Sequence, residues 1–166
     1  MHEMLSAISA TMPDMPQAAW PLALATLALL GLAALIDAFR GRIPDAIVFC
    51  GLVLATAVQG ETASWPFAAR HLAIALAVAL FFWGVNWLWY RSYRHDAIGM
   101  GDAKWTMLAV DVFGIMPALY AWSLGAVLAL LWLGGARLAK KPGTRVHFAP
   151  FLLAGLLAGI YWLRLR

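Results

Sequence analysis

The chain has 166 residues, of which 64% are hydrophobic and only 12% charged, and its formal net charge is +4. Its mean hydropathy of +0.80 excludes an ordinary soluble domain, in which about half of the residues are apolar and about a quarter charged. The single cysteine, Cys50, excludes an internal disulfide, and the four histidines form no paired metal-ligand motif. The composition predicts an integral membrane protein of one domain, residues 1–166, without a metal, cofactor or nucleic-acid partner.

Apolar runs divide the chain into six predicted spans. Residues 1–18 contain Glu3 and Asp14 but no Lys or Arg, so they lack the basic start of a signal peptide and are predicted to be a retained N-terminal segment. The runs follow at 19–38, 45–60, 67–90, 103–116, 117–136 and 148–163. A full span needs about 20 residues, so the second, fourth and sixth are short. The predicted fold class is all-α, a polytopic membrane bundle of about six transmembrane helices.

Four prolines mark predicted helix borders. Pro44 and Pro150 stand where a proline in the first turn of a helix is tolerated, because the missing N–H would have no helical partner there. Pro66 precedes the third predicted helix, and Pro117 is predicted to separate the fourth from the fifth.

The distribution of Lys and Arg predicts the orientation. Six spans place both termini on one side and the loops at 39–44, 91–102 and 137–147 on the other. That second side holds nine basic residues, namely Arg40, Arg42, Arg91, Arg94, Lys104, Arg137, Lys140, Lys141 and Arg145. The first side holds Arg70, Arg164 and Arg166. The richer side is predicted to be cytoplasmic, so both termini are predicted to be non-cytoplasmic.

Two aspartates lie at the membrane boundary in this topology. Asp37 ends the first span and Asp102 begins the fourth, so both are predicted at one depth on the cytoplasmic side. A carboxylate there must be hydrated, paired or protonated. Two facing carboxyls that share a proton can activate a water and protonate a leaving amine. Gly99 and Gly101 leave room for a substrate backbone, although an ordinary glycine-rich loop is the alternative.

Two other functions are compatible with paired acids in a membrane. Paired membrane acids also carry ions, so a small ion- or proton-coupled transporter is the second hypothesis. Acids at mid-membrane in several helices would favour it, whereas Asp37 and Asp102 lie at one boundary. A catalytically inactive scaffold is the third hypothesis, which the presence of both aspartates disfavours.

Three further polar residues have simpler interpretations. Asp111 follows Asp102 by nine positions, too far along a helix to join it; hydration at the outer helix end is favoured over an internal hydrogen bond. Lys104 is predicted to extend to the interface. Asn86, polar within an apolar run, predicts an interhelical hydrogen bond.

Three segments carry a family resemblance: DAFRGRIP at 37–44, GMGDAK at 99–104 and HFAPFL at 147–152. In these segments the chain resembles the type IV prepilin peptidases, intramembrane aspartic proteases with a Gly-x-Gly-Asp motif. The resemblance implies that Asp37 and Asp102 are the catalytic pair. It also implies a short, peptidase-only member of the Tad/Flp pilus type, without methyltransferase activity.

The implied substrate is a prepilin-like precursor with a short basic leader and a hydrophobic helix. Cleavage is implied at the cytoplasmic face of a prokaryotic inner membrane, with lipid as the other partner and the oligomeric state open. The residues predicted to bind substrate or support the motifs are Gly99, Gly101, Lys104, Arg42, Pro44, Asp45, Asp96 and Pro150. Among them, Asp45 and Asp96 are candidates to receive leader Lys or Arg.

The chain departs from the family pattern at four positions outside the catalytic pair. Asp45 stands where Asn is common, and Trp105 stands where Leu is usual. Asp111 replaces a small apolar residue, and His147 replaces a common Pro. These differences put the substrate preference in doubt, not the chemistry.

Overall fold

A computed structural model of the protein describes residues 20–95, 98–139 and 147–164. Within these ranges the chain forms six α-helices and no strand, which confirms the all-α class. The helices are α1 (Trp20–Arg40), α2 (Asp45–Thr62), α3 (Trp65–Tyr93), α4 (Met100–Phe113), α5 (Ile115–Leu138) and α6 (Ala149–Arg164). Each corresponds to one predicted apolar run, and the predicted N-terminal segment 1–18 falls outside these ranges.

Four of the described helices are long and apolar enough to cross a membrane. They cover Pro21–Arg40, Asp45–Thr62, Trp65–Tyr93 and Ile115–Leu138. The sixth helix is a shorter apolar helix, and the 14 residues of α4 extend only about 21 Å. Large apolar side chains such as Phe81, Leu130 and Leu131 are about two-thirds exposed, a surface that suits lipid rather than water. Six crossings and the orientation of the termini stay predictions.

The short helix α4 is the centre of the bundle. It contacts each of the other five helices, and nine of its residues are buried. Trp105 is completely buried, and its indole N–H donates to the Leu30 carbonyl at 3.1 Å. Because Leu30 lies on α1, this hydrogen bond joins the two helices that carry Asp37 and Asp102.

The connection between α4 and α5 differs from the prediction. The chain turns at Gly114, whose φ of +81° lies in a region that favours glycine. Pro117 is instead the third residue of α5, where its missing N–H costs no hydrogen bond. The prediction that Pro117 separates the two helices was therefore wrong by three residues. The turn needs a residue with a positive φ rather than a proline.

Helices α5 and α6 approach each other backbone to backbone. A Cβ added to Gly155 would lie 2.5 Å from the Ala121 carbonyl oxygen. A Cβ added to Gly125 would lie 3.0 Å from the carbonyl oxygen of Phe151. Small residues allow this close approach, which is a common way for membrane helices to associate. The contact fixes α6 beside α5 and thereby places the segment that precedes α6.

Asp111 is buried rather than hydrated at a helix end, so the favoured interpretation of it was wrong. Its exposed fraction is 0%, and neither carboxyl oxygen has a hydrogen-bond partner in the described part of the chain. Its backbone carbonyl accepts from Gln59 Nε2 at 3.0 Å and lies 3.0 Å from His71 Nδ1. The physical reason is the central position of α4, whose far end is covered by α2 and α3.

We expect the substitution Asp111→Asn to raise the thermal stability of the purified protein. The Gln59 side-chain oxygen, close to this site, also lacks a partner among the described residues, and an asparagine amide could donate to it. A buried unsatisfied polar group costs about 1–3 kcal/mol, so a gain of about 1–2 kcal/mol in the free energy of unfolding is expected. Thermal unfolding in detergent measures it, and a lower Tm would show that the carboxylate is paired.

Candidate active site

The two aspartates predicted to act together line the same cavity. Asp37 lies in the last turn of α1 with only 8% of its surface exposed, and Asp102 lies in the first turn of α4. The cavity has a volume of about 400 Å³. The other lining residues are Gly41, Arg42, Ile43, Gly99, Met100, Gly101, Lys104, His147 and Phe148. The segments after α1, before α4 and before α6 therefore meet at one end of the bundle.

The end of α1 is shaped by Gly41. Its backbone N–H donates to the Asp37 carbonyl at 2.7 Å, and its φ is +66°. Glycine takes this left-handed conformation without strain, which ends a helix sharply. The His147 ring packs over it, since a Cβ added to Gly41 would lie 3.1 Å from His147 Cε1. This turn directs Ile43 and its neighbours along the cavity wall and keeps Asp37 at the mouth of the helix.

The glycines of the Gly-x-Gly-Asp motif make close contacts on two sides. A Cβ added to Gly99 would lie 2.7 Å from Asp102 Oδ2, so the carboxylate folds back over this residue. A Cβ added to Gly101 would lie 3.4 Å from Ile43 Cγ1. Gly99 thus leaves space for the carboxylate, and Gly101 lets the segment after α1 pack against α4. These contacts lie within the protein, so the predicted approach of a substrate backbone to Gly99 and Gly101 stays a prediction.

We expect Gly99→Ala to lower cleavage activity while leaving the protein folded. The added methyl would occupy the place of Asp102 Oδ2, and a carboxylate can move away from it more easily than backbone can. A displacement of about 1 Å at a reacting group can cost about 100-fold in rate, so a fall of about 10- to 100-fold is expected. Gly134→Ala is the matched control, because nothing lies within 4 Å of that Cβ position. Equal activity of the two variants would contradict the prediction.

Lys104 and Asp45 form an ion pair beside the cavity. Lys104 Nζ lies 2.5 Å from Asp45 Oδ1, and the two side chains are 34% and 81% exposed. The predicted extension of Lys104 to the interface therefore takes the form of a contact with the first residue of α2. A basic leader would have to compete with Lys104 for Asp45, so leader binding by Asp45 stays a prediction. Asp96, the second predicted acceptor, belongs to a part of the chain that the structure does not describe.

The remaining predicted residues are distributed around the site. Arg42 lines the cavity. Pro44 caps the start of α2 in an extended conformation, and its carbonyl accepts from the Ile47 N–H at 3.2 Å. Pro150 is the second residue of α6 and does not line the cavity. Sequence reasoning did not name His147 and Phe148 as site residues, although they lie within one of the resembling segments.

A second groove adjoins the cavity at Met100. It has a volume of about 320 Å³. Its walls are Trp83, Asn86, Trp87, Tyr90 and Met100, four of them on α3. Met100 also lines the cavity of the two aspartates, so one side chain forms part of both walls.

The cavity brings together what acid–base chemistry on a peptide bond requires: two carboxyls, open space and main chain without side chains at two glycines. A model of the type IV leader peptidase family matches residues 24–163, a range that contains every residue lining the cavity. No curated protein and no solved structure gives a significant match.

Proposed function

The chain belongs to the type IV leader peptidase family, and we propose that it is an aspartic endopeptidase that removes the short basic leader from prepilin-like precursors. The observation that carries the proposal is the single cavity lined by Asp37 and Asp102. Their helices are held together by the hydrogen bond from Trp105 to Leu30. The cavity between them has a volume of about 400 Å³, which is space for a substrate main chain.

The reaction uses the two carboxyls as one unit. The ionised carboxylate takes a proton from a water molecule, and the resulting hydroxide attacks the scissile carbonyl carbon. The protonated carboxyl donates to the amide nitrogen as the C–N bond breaks. The products are a leader with a new carboxyl group and a shortened precursor with a new amino terminus. Because both carboxyls line one cavity, one can act as the base and the other as the acid in the same reaction.

The proposed substrate has a hydrophobic helix directly after the leader. The groove beside Met100 supports a path for that helix, since it adjoins the cavity and three of its walls are aromatic side chains of α3. The leader extends on the opposite side of the scissile bond, and Asp45, beside the cavity, is a candidate for its basic residues. Asp96 is the second candidate, proposed from the sequence alone. A groove of aromatic residues next to two carboxyls suits a substrate that is apolar on one side of the cut and cationic on the other.

We further propose a Tad/Flp-type prepilin as the substrate, cleavage at the cytoplasmic face of a prokaryotic inner membrane, and no methyltransferase activity. The orientation rests on the excess of Lys and Arg on the side that holds both aspartates. Family membership favours the peptidase over the ion-coupled transporter and over the inactive scaffold.

Co-expression with a Tad-type prepilin, in a bacterium that lacks prepilin peptidases of its own, tests the proposal. We expect the precursor to lose the mass of its leader, with a single new amino terminus by sequencing. The leader of such precursors usually ends in glycine, so a precursor with that glycine replaced is the control and should remain uncleaved. If the protein cleaves none of the prepilins tested, the proposal is contradicted. Ion flux through vesicles that contain the purified protein would support the transporter instead.

A further inference from the structure

Asn86 is a polar residue in a helix whose neighbouring surface is largely aromatic. Only 5% of its surface is exposed, while Trp83 and Trp87, one turn before it and one position after it, are more than half exposed. A buried amide needs hydrogen-bond partners. The predicted interhelical hydrogen bond is present as a contact with Met100, the first residue of α4, and two further bonds go to Ile98, just before that helix.

The Asn86 side-chain amide forms two hydrogen bonds with the backbone of Ile98. Its Nδ2 donates to the Ile98 carbonyl at 2.7 Å, and its Oδ1 accepts from the Ile98 N–H at 2.9 Å. The same nitrogen lies 3.4 Å from Met100 Sδ. One bond requires the nitrogen and the other the oxygen, so the orientation of the amide is defined by its partners. Two bonds to one residue hold both the position and the direction of the chain there.

Ile98 directly precedes the Gly-x-Gly-Asp motif at residues 99–102. Ile98 is followed by Gly99, whose Cα lies under the Asp102 carboxylate, since a Cβ there would be 2.7 Å from Oδ2. The Gly99 carbonyl accepts from the Ala103 N–H at 3.1 Å and so begins α4. A shift at Ile98 would therefore move Gly99, which contacts the Asp102 carboxylate. It would also move the first turn of α4, which carries Asp102.

We propose that Asn86 is a positioning residue of the peptidase, which acts through Ile98 and Gly99 to hold the Asp102 carboxylate opposite Asp37. The inference rests on the proposed function, and it adds α3 to the elements that build the site. Asn86 makes no proton transfer itself. Its effect is on the geometry of the reacting pair, so it should appear in the turnover rate.

Steady-state cleavage by Asn86→Leu and Asn86→Asp, normalised to folded enzyme, tests this role. Leucine removes both bonds to Ile98, whereas aspartate keeps an acceptor for the Ile98 N–H. We expect kcat to fall about 10- to 100-fold in Asn86→Leu, with an intermediate value for Asn86→Asp. The test is read from kcat and not from KM, because Asn86 also lines the groove proposed for the substrate helix. Hydrogen exchange at the Ile98 amide should be faster in Asn86→Leu.

The matched control is Gln59→Leu, which removes another buried side-chain amide that bonds to backbone. Gln59 bonds to Asp111 near the opposite end of α4, so this variant should lose stability but keep kcat. An unchanged kcat in folded Asn86→Leu, or an equal loss of kcat in Gln59→Leu, overturns the inference about Asn86. If the wild type cleaves the precursor, the proposed function still stands in either case. Failure of the wild type to cleave overturns both.

Discussion

Replacement of either aspartate of the proposed catalytic pair by asparagine is expected to abolish leader cleavage. Asparagine has nearly the same shape as aspartate but can neither take a proton from water nor give one to the leaving nitrogen. General acid–base groups contribute about 100- to 10,000-fold each. We therefore expect Asp37→Asn and Asp102→Asn to lose at least about 1,000-fold in kcat/KM, measured as the rate of leader loss from a purified prepilin.

Asp111→Asn is the matched control for these variants. It makes the same Asp-to-Asn change at a third aspartate, which is buried at the far end of the helix that carries Asp102. Because Asp111 does not line the cavity, its variant should cleave at the rate of the wild type. Substantial cleavage by both Asp37→Asn and Asp102→Asn would contradict the two-carboxyl mechanism. A double variant no slower than either single variant would support a pair that acts as one unit.

The largest loss of stability is expected for Gly155→Val. Even the Cβ of the new side chain would lie 2.5 Å from the Ala121 carbonyl oxygen and 2.9 Å from the Gly125 nitrogen. Both are backbone atoms, so the overlap is relieved only if α5 and α6 separate. Overpacking of a close contact costs about 1–3 kcal/mol and sometimes more, and we expect a marked fall in Tm and in the yield of folded protein.

Gly135→Val is the control for this prediction. It makes the same substitution on α5, where nothing lies within 4 Å of the new Cβ, so it tests the intrinsic effect of a β-branched residue in a helix. Equal Tm values for the two variants would show that α5 and α6 are not held at this distance. A secondary loss of cleavage in Gly155→Val is expected, because α6 places His147 and Phe148 at the cavity.

The sequence predicts the helices of this protein well because lipid imposes a simple rule. Each span must be a continuous apolar run that satisfies its own backbone hydrogen bonds. The apolar runs in the sequence therefore correspond to α1–α6. The rule does not say which helix is central. That is why Asp111 was expected to be hydrated, whereas the packing of five helices around α4 buries it completely.

The meeting of Asp37 and Asp102 at one cavity was predictable, but the support around them was only partly so. The alternation of apolar runs places both aspartates at the same end of the bundle. The contacts that hold them depend on tertiary detail: Trp105 donates to a carbonyl 75 residues away in sequence, and Asn86 binds the backbone of Ile98 just before α4. A lone Asn or Trp in an apolar run carries no signal for its partner, because many geometries satisfy one polar group.

The burial of α4 has a consequence for how this enzyme responds to its membrane. Lipid meets the outer helices, whose large apolar residues are exposed, and these adapt to bilayer thickness by tilting. Asp102 is carried by a helix that is enclosed by protein and contacts all five of the others. The surroundings of α4 are therefore protein rather than acyl chains, so a mismatch between bilayer thickness and helix length acts on Asp102 only through the five neighbouring helices.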